Sequence, residues 1–436
     1  MNRLKGKSVF LVVSLWVLLG SLIGLAVGSA TALLLTANDF LGETREKNGW
    51  LISLLPLGGI FIGYIYMKYG KAVYRNTLND TALENNLVIE TINGKKNVLK
   101  RMGPIVYLGT FITVLFGGST GREGAAIQMG SSIAEVSNKL FKVSVLNKNL
   151  FIMSGVSAGF GSAFGAPITG AIFGMEMAAL GKIKFQALIP CVTASFAAHY
   201  TTTAIWQFKH DELKILAVPD FTFLDFGKVI FVSILFGLLS IAYCQLRHGI
   251  QRFTEKTFKK NHMKRAFFGG IVIVLLTLMV GSQDYNGRGL EMLEQSFYEE
   301  VPPFAFLAKL LFTAVTIGSG FVGGEAIPLF FMGATLGNAL QSIIDLPLSF
   351  LAALGLIATF CAGANVPLSA FLLALEMFNG VGVEFFFVAC IISYLFSGHH
   401  SIWPSQQIYE PKSTLFQILS GTTIGEVEQK KKKKSE

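Results

Sequence analysis

Residues 166–177 read APITGAIFGMEM, and residues 366–377 read VPLSAFLLALEM. Pro167 matches Pro367, Thr169 matches Ser369, Glu176 matches Glu376 and Met177 matches Met377. A second pair lies upstream: GSTGREGAAIQMG (118–130) against GFVGGEAIPLFFMG (320–333). There Gly118 falls over Gly320, Gly121 over Gly323 and Glu123 over Glu325. Both pairs are offset by about 200 residues and keep the same order. Chance likeness among small-residue helices would not preserve order and offset together. The chain therefore reads as two halves of one design, an arrangement common in transporters with short, Gly/Pro-interrupted apolar segments.

Composition points the same way. Of 436 residues, 52% are hydrophobic and 14% are charged; an ordinary soluble protein carries roughly 25% charge. Uncharged runs cover Ser8–Ala37, Trp50–Met67, Leu150–Met175, Phe185–Phe208, Val229–Leu246, Ala266–Gln283, Ala326–Ile344 and Leu346–Leu375. A helix needs about 20 apolar residues to cross a bilayer, and several runs suffice. A soluble domain, a disordered chain and a disulfide scaffold are excluded by this composition. A membrane β-barrel would show short alternating strands instead. The first run is too long for a signal-peptide core and is expected to stay as a helix.

The net charge of +9 is concentrated at Arg3, Lys5 and Lys7, at a central linker (Arg247, Arg252, Lys256, Lys259, Lys260, Lys264, Arg265) and at Lys430–Lys434. By the positive-inside rule these three places are cytoplasmic, with lipid headgroups as their partners. No aromatic-interleaved soluble module accompanies the lysines, so nucleic acid is not expected as a partner. The polar segment Lys209–Asp225 is placed outside. Cys191, Cys244, Cys361 and Cys390 lie in apolar segments without metal or redox spacing, and His399–His400 has no carboxylate at ligand spacing, so no metal or cofactor is expected. GVSAG (155–159) matches a hydrolase elbow around Ser157, and GSGFVG (318–323) matches a dinucleotide loop. Both lack the strand–turn–helix context, and small-residue helix packing explains them. Most of the 38 phenylalanines are expected to pack or face lipid instead of lining a pore.

Near 118–130 a glycine cluster leads into an apolar helix, with Arg122 and Glu123 at the join. A helix N-terminus offers unpaired N–H groups and partial positive charge, and glycines let an ion approach them. Such an end binds an anion, or equally the Glu123 carboxylate. An ionised glutamate there competes with a permeating anion, and protonation releases it. The same residues read equally well as a loop at the water boundary.

These motifs resemble the CLC chloride channel and transporter family. GGSTGREGAAIQMG is similar to its GREG signature, and GSGFVGGEAIPLFFMGATLG to its second-half anion loop. FGAPITGAIFGMEM and NVPLSAFLLALEM resemble its paired repeat helices. The resemblance covers roughly residues 8–418. It implies an all-α polytopic fold of two inverted repeats with about 17 membrane helices, many short or broken, assembled as a homodimer with one pore per subunit. It also implies that Glu123 is the gating glutamate and that the amides of Arg122, Glu123, Gly124, Ala326 and Ile327 face the anion. Details resemble the fluoride-exporting CLC-F branch. Glu325 completes GGE, and Ala326 replaces the usual Phe. Met177 follows Glu176 where proton-coupled chloride members often carry a second glutamate. Asn85-Asn86-Leu87-Val88 stands where chloride members have GSGIP; the plainer reading of Asn85 and Asn86 is a loop or helix cap. FSGHHSIWPSQQ (396–407) resembles the branch's C-terminal stretch, with Trp403 in the place of a pore tyrosine. Ile327 stands where the branch frequently has threonine.

Residues 1–216 are thus expected to form the first membrane repeat, with a cytoplasmic N-terminus. Residues 217–398 form the second, holding the basic linker 247–265. Residues 399–436 supply a pore-reaching helix and a cytoplasmic Lys-rich tail. The expected function is fluoride export in exchange for protons across the plasma membrane, and not enzymatic. A chloride channel or chloride/proton exchanger of the same family is the alternative. A sodium-coupled symporter, or a hydrolase using Ser157, would be a different class.

Overall fold

The computed structural model describes residues 9–70, 86–95, 97–141, 145–259 and 261–435. Asn85, Lys260 and the N-terminal basic residues lie outside them. The described residues form seventeen α-helices and three two-residue strands. The first half holds α1 (Val9–Lys47), α2 (Leu55–Tyr69), α3 (Leu87–Ile92), α4 (Met102–Leu115), α5 (Glu123–Phe141), α6 (Val145–Phe164), α7 (Pro167–Glu176), β1 (Ala179–Leu180) and α8 (Leu188–Tyr200). The second half holds α9 (Phe223–Thr257), α10 (His262–Val280), α11 (Leu290–Tyr298), α12 (Ala305–Gly318), α13 (Ala326–Leu340), α14 (Leu348–Ala364), α15 (Pro367–Met377) and α16 (Val383–Phe396). The C-terminal part adds β2 (Gln407–Ile408), β3 (Thr422–Thr423) and α17 (Ile424–Ser435).

Four segments, Phe10–Lys47, Gly49–Tyr69, Phe223–Thr257 and His262–Val280, are long and apolar enough to cross a membrane. With 39 residues, α1 is roughly 58 Å long at 1.5 Å per residue. That exceeds a hydrocarbon core of about 30 Å, so α1 tilts or projects. Most other helices are shorter than a full span, as the interrupted apolar runs suggest.

The repeats are visible as paired crossings. Gly130 of α5 meets Gly155 of α6 so closely that a Cβ on either would collide with the other's carbonyl. Gly333 of α13 and Gly355 of α14 make the same contact in the second half. Small residues at a crossing let two backbones touch, which is how helices pack without a hydrophobic drive from lipid.

The repeated proline–glutamate helices explain their own sequence. Each begins with proline at its first position, where no N–H is needed. Each ends near a glutamate that reaches the other's N-terminus. Glu376 accepts the N–H groups of Ile168 (2.8 Å) and Thr169 (2.7 Å) and the Thr169 hydroxyl (2.6 Å). Glu176 accepts Leu368 N–H (3.0 Å), Ser369 N–H (2.8 Å) and the Ser369 hydroxyl (2.5 Å). α7 and α15 are therefore antiparallel, and each carboxylate fills the N-terminal dipole of its partner. The Thr169/Ser369 match supplies the hydroxyls.

Two expectations are corrected. The basic stretch 247–265 is not a linker for most of its length: α9 runs to Thr257 and α10 starts at His262. Arg247 and Arg265 are buried because each has acceptors. Arg247 donates to Gln251 and Glu325, and Arg265 donates to Glu255 and the Gly318 carbonyl. The segment after α16 is not a pore-reaching helix. It is irregular from Gly398 through Gly421 apart from β2, and helix returns only at Ile424. Pro404 and the parallel β1–β2 and antiparallel β2–β3 pairings hold it extended. The four cysteines are free and buried, as expected of packing residues. Ser157 lies inside α6 and donates to the Ala171 carbonyl (3.4 Å), which fits helix packing.

Candidate functional site

The two glycine loops of the repeats meet at the centre. Gly121 and Gly324 exchange backbone hydrogen bonds of 2.7 and 2.8 Å. Thr120 adds a hydroxyl bond to the Gly324 carbonyl (2.9 Å). A Cβ on Gly124 would sit 3.1 Å from Gly324 Cα, so glycine is what lets the loops close. From this joint α5 and α13 depart, and the first-turn amides of both begin beside it.

Glu123 is buried, and its side chain folds back onto the start of its own helix. Its Oε2 accepts the Arg122 N–H at 3.1 Å and lies against Gly121 and Gly324. The Arg122 guanidinium points elsewhere. It donates to Asp39 (2.5 Å) and to the Leu35 carbonyl (3.1 Å), and lies 5.6 Å from the Phe208 ring. Arg288 donates to the same Asp39 oxygen (2.7 Å). So the hydrogen bond Glu123 accepts from Arg122 comes from its backbone N–H and not from its guanidinium.

Two cavities of about 230 Å³ each adjoin this point, and Glu123 lines both. The first is also lined by Asn86, Gly124, Glu325, Ala326 and Trp403. The second is lined by Arg122, Ile327, Arg288 and the 210–213 stretch. The structure thus gathers the described candidate residues around one carboxylate. It divides them, with Ala326 and Ile327 facing different cavities. His210 lies over Gly165 beside the second cavity; burial and the nearby Arg122 push it down to about 4, so it is neutral at pH 7.

Glu325 does not face a helix end. Its carboxylate accepts the Tyr243 hydroxyl (2.5 Å) and Arg247 (3.3 Å), both from α9. Asn86 proves to be the N-cap of α3, accepting Val88 and Ile89 N–H through its side-chain oxygen, while it also borders the first cavity. Its own N–H donates to Ser405 (2.8 Å). Trp403 enters from the irregular C-terminal stretch and makes an edge contact with Phe173, 5.9 Å between centroids.

Several contributors had no signal in the sequence. Gln406 anchors the Trp403 stretch by donating to the Met177 and Ala364 carbonyls, both at 2.8 Å. Phe160, Phe164, Phe173, Phe321 and Phe360 line the first cavity. These five stand apart from most phenylalanines, which are expected to pack or face lipid. Among the described residues no cluster suits a metal ion.

Residues 58–398 match the family model described as voltage gated chloride channel. A chloride/fluoride channel protein of Pseudomonas syringae pv. tomato is 37% identical over 404 residues, covering 91% of this chain and 87% of its own. A solved CLC-type fluoride/proton antiporter superposes with a TM-score of 0.86 at 29% identity, over 92% of this chain and 100% of its own. A slow cyanobacterial Cl⁻/H⁺ antiporter shares the fold, with a TM-score of 0.75 at 21% identity over 96% of this chain and 97% of its own. With the glycine joint, the paired repeat helices and a family match over most of its length, the chain belongs to the CLC family of anion-transporting membrane proteins.

Proposed function

We propose that the chain exports fluoride in exchange for protons, with Glu123 as both gate and proton carrier. The observation that carries this reading is the Glu123 carboxylate itself. It sits between two cavities and accepts a helix-terminal amide in the place an anion would take. Ionised, it occupies those donors and closes the passage. Protonated, it competes poorly for N–H groups and leaves them to the anion. Alternation between the two states carries one proton against one anion.

Arg122, Glu123 and Gly124 supply amides from α5, and Ala326 and Ile327 supply them from α13. Fluoride is the halide that accepts the strongest hydrogen bonds, so a nest of backbone donors suits it. Trp403 offers an indole N–H at the first cavity, and Asn86 borders the same space. The fluoride/proton antiporter that superposes over nearly the whole chain supports the choice of ions. In this reading the first cavity, lined by Arg247 near the basic stretch 247–265, opens to the cytoplasmic side of the plasma membrane, where both termini also lie; the Lys/Arg bias supports it. Exposed Ile168 and Leu368 on the paired repeat helices suit lipid or a second copy in a homodimer.

The test is reconstitution in liposomes with fluoride efflux, chloride efflux and internal pH recorded together. Fluoride leaving faster than chloride, with internal acidification, is expected. Chloride efflux equal to or faster than fluoride sinks the fluoride assignment. A chloride exchanger or channel is the second reading, favoured by Ile327 and Trp403 where the fluoride branch has threonine and tyrosine. Anion efflux without any pH change would identify a channel.

A further inference from the structure

Lys309 is wholly buried in α12, and the gating scheme does not use it. Its ammonium donates to the Gly287 carbonyl (2.9 Å) and the Tyr285 carbonyl (3.2 Å), and lies 5.0 Å from the Phe331 ring. An amine at this depth is costly unless its N–H groups are used, and such residues are seldom idle.

What Lys309 holds is a loop that grips the first glycine segment. Asn286 donates to the Gly117 carbonyl (2.9 Å). Gly287 accepts the Thr120 N–H (3.1 Å) on the same carbonyl that Lys309 binds. Arg288 shares Asp39 with Arg122. Asn286 and Gly287 therefore bond Gly117 and Thr120 directly, and Arg288 reaches Arg122 only through Asp39. Gly287 has φ +54°, a left-handed conformation that favours glycine.

The same face of α12 adds two more bonds. One turn on, Thr313 shares a hydrogen bond with the Ser119 hydroxyl (2.9 Å); at the next turn, Thr316 accepts the Ser119 N–H (3.1 Å). Lys309, Thr313 and Thr316 are spaced i, i+4, i+7 and form one buried polar stripe. Four bonds from the stripe and its loop end on Gly117, Ser119 and Thr120, in the run that leads into the Arg122 and Glu123 amides.

We infer that the Tyr285–Arg288 loop, locked by Lys309, sets the geometry of the first glycine segment and so its anion affinity and selectivity, which makes Lys309 a positioning residue. Fixed donors bind an ion well only if held to a fraction of an ångström. The inference rests on the reading that residues 122–124 bind the anion.

The experiment compares Lys309→Met, Lys309→Arg, Asn286→Ala and Thr313→Val with wild type and Glu123→Gln in liposomes. It reads the half-saturating anion concentration and the fluoride/chloride flux ratio. Lys309→Met should raise the half-saturating concentration roughly tenfold, the scale of losing its two hydrogen bonds to the loop, and should lower the flux ratio. Lys309→Arg should restore most of both. Asn286→Ala removes the bonds to Gly117 and from Thr277, Thr313→Val removes the one shared with Ser119, and both should shift the readouts in the same direction by less. They decide the matter if Lys309→Met does not yield monodisperse protein. Unchanged affinity and flux ratio in the well-folded variants overturns the inference, as does a fall in maximal flux alone. If Glu123→Gln also leaves anion dependence untouched, the anion-site reading itself falls. If Glu123→Gln changes it and the other variants do not, only the role of Lys309 falls.

Discussion

Replacing Glu176 with alanine tests the reciprocal clamp between the repeat helices. The carboxylate receives two backbone N–H groups and one hydroxyl from α15, at 2.5–3.0 Å. Bonds to a charged acceptor contribute about 1.5–3 kcal/mol each, and a helix terminus adds up to about 2 kcal/mol in a buried setting. The gross loss is then roughly 5–10 kcal/mol. Part is offset, because the variant no longer buries a carboxylate, whose desolvation costs several kcal/mol. A net destabilisation of about 3–5 kcal/mol is expected, the range for removing one partner of a buried charge contact. Glu376→Ala should cost less. Its Ile168 contact is exposed, whereas the Ser369 contacts of Glu176 are buried. The assay is reversible unfolding in mixed micelles of increasing denaturing-detergent fraction, followed by tryptophan fluorescence. Adding Ser369→Ala gives a double-mutant cycle, with an expected coupling of about 1–3 kcal/mol. A Glu176→Ala protein within about 0.5 kcal/mol of wild type would refute the reasoning, since surface changes alone produce that much.

Further outcomes follow from single contacts. Gly355→Ala drives a methyl into the Gly333 carbonyl and should cost about 3 kcal/mol or more in the same unfolding assay. Gly227→Ala, which meets nothing within 4 Å, should be neutral or slightly stabilising. Tyr243→Phe removes the hydroxyl from the Glu325 carboxylate and should cost about 1–3 kcal/mol in the same unfolding assay. Glu428 on α17 faces His248 (3.5 Å) and His400 (3.6 Å). Burial alone would raise its pKa, but the two histidines outweigh that and hold it down to about 2. A depressed carboxylate stabilises docking above its ordinary pKa of about 4.5, and that support is lost as pH falls towards 2. Protection of the amides over residues 424–429, after correction for the intrinsic pH dependence of exchange, should therefore fall below about pH 4.5 in wild type, and Glu428→Gln should remove this loss of protection.

The parts legible in the sequence were those with a local or repeated cause. Pro167/Pro367 and Glu176/Glu376 could be matched because each half needs the same helix start and the same cap for its partner. The glycines at 121 and 124 announced a close backbone approach, and Gly323 marked the matching loop. Where the determinants lay far apart in the chain, no pattern pointed to them. Arg247 and Arg265 looked like linker charges because Glu325 and Gly318, their acceptors, lie tens of residues away. Gln406 and Ser405 act on residues more than 200 positions upstream, Met177 and Asn86 among them. The stretch after Phe396 was expected as a helix, but a strand pairing with Ala179–Leu180 decides its path, and no local propensity reports such a partner.

The central claim is that one carboxylate both closes the passage and carries the proton. The most direct measurement is internal pH during anion efflux from liposomes containing Glu123→Gln, beside wild type. An amide cannot cycle a proton. Wild-type protein is expected to move protons inward as the anion leaves, and the glutamine variant none, whatever anion leak remains. Proton pumping that persists in Glu123→Gln would contradict it.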